Sequence, residues 1–127
     1  MQDGSERGGS LEIRSKIWIE RGSGGNVVLS EWRVELLEAI DAYGSLSRAA
    51  EALDIPYRTA WERVKATESE IGFRLLDSES GGLDGGGSRL TPQAQDLCRR
   101  FRRVSGGIQE VVSRRFAAEF GDGTAGV

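Results

Sequence analysis

The sequence predicts a mostly α-helical fold carrying small β-hairpins, an α+β arrangement within one domain. Three features predict it. Several segments place apolar residues at helical spacing between Ser or Thr caps and Gly stops. Short alternating or β-branched runs face each other across glycine-rich turns. At residues 46–71 a short alanine-rich helix meets a longer one through a tight turn.

The elements follow in chain order. Residues 1–10, MQDGSERGGS, are polar and read as a tail, neither a signal peptide nor an anchor. In LEIRSKIWIE, Leu11, Ile13, Ile17 and Ile19 alternate with Glu12, Arg14, Lys16 and Trp18, the period of a strand with one buried face. Trp18 is out of phase with that face, so it is either an exposed interface residue or the sign of a different register. RGSGG is a turn and NVVL the returning strand.

Ser30 is placed to cap a first helix, with Glu31 in its positive first turn and Trp32, Leu36, Leu37, Ala39 and Ile40 at helical spacing up to Gly44. Ser45 opens a short helix bearing Leu46, Ala49, Ala50 and Leu53. Asp54–Ile55 turns the chain, Pro56 suits a first helical turn, and YRTAWERVKATESEI runs to Gly72. FRLLD (73–77) and SRL (88–90) read as paired strands around the glycine loop SESGGLDGGGS. Thr91 caps the last helix, which carries Ala94, Leu97, Phe101, Val104, Ile108, Val111 and Val112 near helical spacing, with Leu97, Phe101, Val104 and Ile108 on an apolar stripe. Gly106–Gly107 weakens that helix by about 1 kcal/mol per glycine, and a polar tail follows Phe120. The expected organisation is thus a tail (1–10), one domain (11–118) and a second tail (119–127).

Composition narrows the function. No apolar run approaches the ~20 residues that span a bilayer, so no membrane partner is expected. The single cysteine, Cys98, allows no internal disulfide and fits a reducing cytoplasm. It reads as a buried inert thiol, with redox sensing as the alternative. The chain has no histidine. A Ser/His or Cys/His nucleophile is therefore impossible within it, and neither catalysis, a metal nor a cofactor is expected.

In the second helix of the turn motif, Ala60, Trp61, Val64, Thr67 and Ile71 are expected to face inward. Tyr57, Arg58, Thr59, Glu62, Arg63 and Ala66 face outward. A helix-turn-helix presents the N-terminal part of its second helix to base edges in the major groove of duplex DNA. Arg58 or Arg63 suits a guanine, the Thr59 methyl a thymine, and Tyr57 a phosphate or base. With strand, glycine loop, strand and helix following, the pattern is a winged helix-turn-helix with an N-terminal β-hairpin and a long C-terminal helix. A nucleotide-binding reading of the glycine loop fails on context. Gly87 precedes Ser88 and Arg89 rather than Lys and Ser/Thr, and the loop joins two strands.

The run LLEAIDAYGSLSRAAEALDIPYRTAWERVKATESEIGFRLL, then SGGLDGGGSRLTPQAQDL, resembles the N-terminal DNA-binding domain of ModE-type molybdate-responsive regulators, themselves similar to the LysR-type winged helix. GSLSRAAEAL, YRTAW and the wing glycines before LT carry the likeness, which covers about residues 11–115. It implies a prokaryotic transcriptional regulator acting as a homodimer on DNA. On that reading Tyr57, Arg58, Thr59, Glu62 and Arg63 read bases, while Ser45, Ser47, Arg48 and Arg89 contact phosphates. Full-length members continue into an oxyanion-binding module. This chain stops at Val127, so no molybdate site of that kind is expected in it. The family pattern places an acid–arginine pair after the recognition helix, where this sequence has Asp77–Ser78.

Charge distribution supplies a second reading. Residues 46–76 hold as many acids as bases, and the wing carries Asp84 with no base before Arg89. An acidic wing tip repels phosphate, which predicts modest non-specific affinity and a shallow salt dependence. It also suits a winged helix used for protein contact or oligomerisation, paired with a separate effector-binding protein. The arginine cluster Arg99, Arg100, Arg102 and Arg103 fits a solvated helix face, a phosphate-contacting surface or part of a dimer seam.

Overall fold

The computed structural model describes residues 9–22, 24–78 and 87–121. Its elements are β1 (Trp18–Glu20), β2 (Val27–Ser30), α1 (Glu31–Tyr43), α2 (Leu46–Ala52), α3 (Tyr57–Ile71), β3 (Leu76–Ser78), β4 (Ser88–Leu90) and α4 (Pro92–Phe120). β1 pairs antiparallel with β2, and β3 with β4. The mostly α expectation with two hairpins is borne out. Among the described residues no helix is long and apolar enough to cross a membrane. The chain divides into two compact units, Ile17–Arg102 and a second made of the segment through Lys16 with the chain from Arg103 onward.

In the first unit the helices begin where their caps dictate. The Ser30 hydroxyl accepts from the Arg33 N–H at 3.2 Å, and Ser45 from the Arg48 N–H at 3.0 Å. Thr91 Oγ1 accepts from the Ala94 N–H at 3.1 Å. Each satisfies a first-turn donor that the helix itself cannot. α1 ends on Gly44 at φ 84°, whose N–H donates to the Ile40 carbonyl at 2.8 Å. An alanine there meets no neighbouring atom, so its cost is purely the left-handed backbone. We expect Gly44→Ala to lower stability by about 1–2 kcal/mol. Gly106→Ala is expected to raise it by up to about 1 kcal/mol, because that glycine is helical with open space around it. Thermal melts of the two variants check both signs.

The core joins Leu29 of β2, Leu36, Leu37 and Ile40 of α1, Ala49 and Ala50 of α2, Ala60 and Val64 of α3, and Leu90, Ala94 and Phe101 beyond. The small residues of α2 and α3 are buried at 2% exposure or less, which lets the two helix backbones approach closely. Arg33 stitches the layers. Its guanidinium donates to the Val27 and Val28 carbonyls and to Thr67 Oγ1 at 3.0, 3.2 and 3.3 Å. Burial, then the charge of Arg63, holds this guanidinium below its ordinary value, while Glu70 acts the other way. Glu70 in turn accepts from Asn26 at 3.2 Å and from Arg21 at 3.3 Å, tying the β1–β2 turn to the end of α3. Those contacts hold its carboxyl below the usual range, the Asn26 hydrogen bond first.

The base of the second hairpin is fixed to α1. The Ser88 N–H donates to the Gly44 carbonyl at 2.9 Å, and the Leu90 N–H to Asp41 at 3.2 Å. β3 begins later than the expected 73–77 strand, because residues 74 and 75 bond elsewhere. The Leu75 N–H goes to Glu68, and the Arg74 and Leu75 carbonyls both accept from Thr91. The glycine loop at 79–86, with Asp84 and the expected wing tip, lies outside the described residues. So do the tails at 1–8 and 122–127.

The sequence reading of the N-terminal strand needs correction. Only Trp18–Glu20 pair with β2, with a register irregularity at Ile19/Glu20. Leu11, Ile13 and Ile19, expected on a buried face, are exposed. In the second unit, a side chain of α4 takes the hydrogen bonds that a strand partner would have made. Gln109 Oε1 accepts from the Ser15 N–H and Oγ at 2.8 and 2.7 Å, while Gln109 Nε2 donates to the Ile13 carbonyl at 2.8 Å. Trp18 is exposed, its indole N–H donating to Glu20 at 2.9 Å.

The arginine cluster resolves by residue. Arg102 forms ion pairs with Glu31 and Glu38 of α1 at 2.9 and 2.8 Å, pinning α4 to α1. The Glu38 hydrogen bond raises its pKa. Arg99 and Arg100 pair with Asp96 one helical turn back, at 3.4 and 3.7 Å.

Cys98 is buried, and burial followed by the carboxylate of Glu38 pushes its thiol up from an ordinary 9.0 to about 11. The fold therefore favours the neutral thiol. The stability this contributes is complete below the ordinary thiol value and is lost as pH rises through the folded one. An alkaline destabilisation between those two values is expected, along with thiol-reagent labelling at pH 8 limited by unfolding. Urea titrations of the parent and Cys98→Ala across that window check it. A parent curve that matches the variant's would contradict the assignment.

Candidate nucleic-acid interface

The site is built on α2, the turn after it, and α3. α2 is short and amphipathic, with Leu46, Ala49 and Ala50 buried and Ser47 and Arg48 exposed. The turn keeps its backbone satisfied. The Leu53, Asp54 and Ile55 N–H groups donate to the Ala49, Glu51 and Ala50 carbonyls at 2.9, 3.1 and 3.0 Å. Asp54 supplies the left-handed corner at φ 58°, a conformation that aspartate tolerates better than most residues.

α3 begins differently from the other three helices. Pro56 is its N-cap, one position earlier than a first-turn proline, and makes no side-chain cap hydrogen bond. Its first turn has no acidic residue. The positive end of α3 is thus left without the hydroxyl acceptor that caps α1, α2 and α4, an arrangement that favours an external anion.

The inward stripe of α3 is Ala60, Val64 and Thr67, all buried, with Ile71 partly so. Trp61, expected on that stripe, is instead 43% exposed. Ala60 is fully buried among the small residues of the α2–α3 contact, and a neighbour about 100° around the helix does not share that seam. The indole lies on the outer face with Lys65, whose Nζ is 5.8 Å from the ring centroid. Tyr57 is 54% exposed, and Arg58 reaches into solvent with an ion pair to Glu62 at 3.4 Å. Thr59 is half-buried.

Arg63 departs from the expected reading face. Its guanidinium lies over Trp32 of α1, 5.3 Å from the ring centroid. It stays exposed, five positions after Arg58 and about 140° around the helix from it. Arg89 is exposed on β4, opposite Asp77 in the register, and Asp77 itself pairs with Arg74 at 2.8 Å.

Two surface recesses bring expected residues together. One of about 370 Å³ joins Ser47 of α2 to Tyr57 of α3, with Glu51, Asp54 and Ile55 in its wall. The other, about 240 Å³, is lined by Tyr57, Arg58 and Trp61. Sequence reasoning missed Trp61 and Lys65 on this face. Their spacing with Tyr57, every fourth residue at 57, 61 and 65, was the available signal.

A protein-family model described as a bacterial regulatory helix-turn-helix protein of the lysR family matches residues 33–95. The chain is 33% identical over 81 residues to the molybdenum-pterin-binding protein MopB of Rhodobacter capsulatus, covering 64% of this chain and 30% of that protein. It is 31% identical over 86 residues to the molybdenum transport protein ModE of Azotobacter vinelandii, covering 68% and 32% respectively. This chain therefore spans about a third of the length of these relatives. The DNA-binding domain in the CbnR–DNA complex superposes with a TM-score of 0.56 at 20% identity, covering 69% of this chain and 95% of that one. These findings bear out the ModE- and LysR-like resemblance and the winged-helix fold.

Proposed function

We propose that this chain, whose residues 33–95 match the helix-turn-helix model of the lysR family of bacterial regulators, binds duplex DNA sequence-specifically and regulates transcription as a homodimer. The observation that carries the proposal is the outer face of α3, where Tyr57, Arg58 and Glu62 stand exposed beside a helix N-terminus without a side-chain cap. A face of this kind offers bidentate donors for base edges and a positive end for phosphate. Thr59 and Arg63 flank the reading set, while Ser45, Ser47, Arg48 and Arg89 meet phosphates. The relatives are named for molybdenum-pterin binding and molybdenum transport, which supports a molybdate or related metal-oxyanion signal for this regulator.

The homodimer rests on α4. Its distal stripe leaves Val104, Ile108 and Val111 at 57, 41 and 42% exposure. A two-fold pairing through such a stripe would bring two α3 helices into one assembly, as two half-sites require. Glu51 and Asp54, in the wall of the recess below Ser47, favour the second reading, a surface for protein contact with a separately encoded sensor.

Selection from pooled random duplexes at low and moderate salt separates the two. We expect enrichment of one sequence. With Arg48 and Arg89 as the charged phosphate contacts, the slope of log affinity against log salt should be roughly −2 per protomer. Failure to enrich any sequence would remove DNA readout and leave the protein-contact reading.

A further inference from the structure

We propose that Trp61 is a specificity-determining residue, and that the recess between Tyr57 and Trp61 takes the 5-methyl group of a thymine in the major groove. The inference rests on the reading of α3 as the recognition helix and deepens it by naming what that helix reads.

The indole has no place in the core, and 43% of the residue is exposed, about 100° around α3 from the fully buried Ala60. With Tyr57 four residues before it, it walls an apolar recess of about 240 Å³. Two cations stand near the rim, each with an acid beside it: Arg58 pairs with Glu62 and Lys65 with Glu68, both at 3.4 Å. Arg58 lines one side, and Lys65 lies 5.8 Å from the indole centroid. The Arg58–Glu62 pair is exposed, and pairs of that kind contribute little, so a phosphate can take the carboxylate's place; an apolar floor beside such a cation is complementary to an apolar group carried on a polyanion. In the major groove only thymine presents an alkyl group, and its methyl projects from the base edge that a recognition helix approaches. Phosphates on either side of the groove would meet the rim. An unpaired base would need a flat aromatic platform rather than a walled recess.

Replacing thymines one at a time by deoxyuridine in the selected duplex removes the methyl and nothing else. At one position per half-site we expect the parent to bind roughly three- to fivefold more weakly, the worth of one buried methyl-sized group. Trp61→Ala should bind thymine and deoxyuridine duplexes alike at that position, and Trp61→Phe should retain part of the discrimination. Because Trp61 lies outside the core, circular dichroism should show both variants folded; the deoxyuridine series on the parent decides the matter if they are not. A parent that binds the duplex yet ignores every deoxyuridine substitution overturns the inference and leaves DNA readout standing. So does a Trp61→Ala variant that still prefers thymine. Tighter binding to single-stranded than to duplex DNA overturns it in favour of base stacking. Absence of any DNA binding overturns both readings.

Discussion

Replacing Ile40 by alanine is expected to remove about 2–5 kcal/mol of stability, the largest single effect among the substitutions considered. Ile40 is fully buried in α1, within the core cluster to which α2 and α3 also contribute. Truncating it leaves a void that alanines of the same cluster, Ala49, Ala50 and Ala60, are too short to fill. A single domain of this size holds roughly 5–15 kcal/mol in total, so the variant should sit near the edge of folding. Urea denaturation followed by circular dichroism measures the loss. Ile108→Ala makes the same chemical change on the exposed stripe of α4 and supplies the contrast. In the isolated protomer it should cost under about 1 kcal/mol, and any larger loss should depend on protein concentration, as a dimer seam requires. A large, concentration-independent effect at Ile108 would contradict the assignment of that stripe.

Arg58→Ala is expected to weaken binding to the selected duplex by one to two orders of magnitude, the worth of one bidentate base contact at about 1–3 kcal/mol. Stability should stay within about half a kcal/mol of the parent, since the ion pair to Glu62 is exposed and pairs of that kind contribute little. Selection repeated with the variant should show relaxed preference at one base position and unchanged preference elsewhere. Arg48→Ala should behave differently, with a uniform loss across sequences and a salt slope shallower by about 1. An Arg58→Ala variant that selects the same sequence with the same stringency would contradict base readout by this residue.

The parts of the fold legible from the sequence were those fixed by local chemistry. Ser30, Ser45 and Thr91 cap where hydroxyls before apolar-periodic runs should, and Gly44 and Gly72 stop helices with left-handed angles. Ala49, Ala50 and Ala60 fall on the close helix contact, because only small side chains let the backbones meet. What escaped were choices made by tertiary contact. Alternation over residues 11–20 has the period of a strand, but Gln109, almost a hundred residues away, takes the hydrogen bonds of Ile13 and Ser15. Trp61 is apolar and one residue from the seam, so hydrophobicity alone drew it inward, whereas the tight fit at Ala60 keeps it out. Arg63 lies over Trp32, a contact between two helices that no spacing within α3 encodes. The outer face of α3 was therefore legible at its N-terminal end, where Tyr57 and Arg58 are exposed. It was less so further along, where packing decides which side each residue shows.

The placement of the tryptophans has an optical consequence. Trp18 and Trp61 are exposed and Trp32 is only partly buried, so no indole belongs to the fully buried core. Native emission should resemble that of indole in a polar medium, and unfolding should shift it little. Intrinsic fluorescence would thus report the loss of the fold chiefly through Trp32, which packs against the core, while remaining sensitive at residue 61. There an arriving base or phosphate changes the surroundings of the ring directly, so quenching on addition of duplex would report occupancy of the recess without any attached dye.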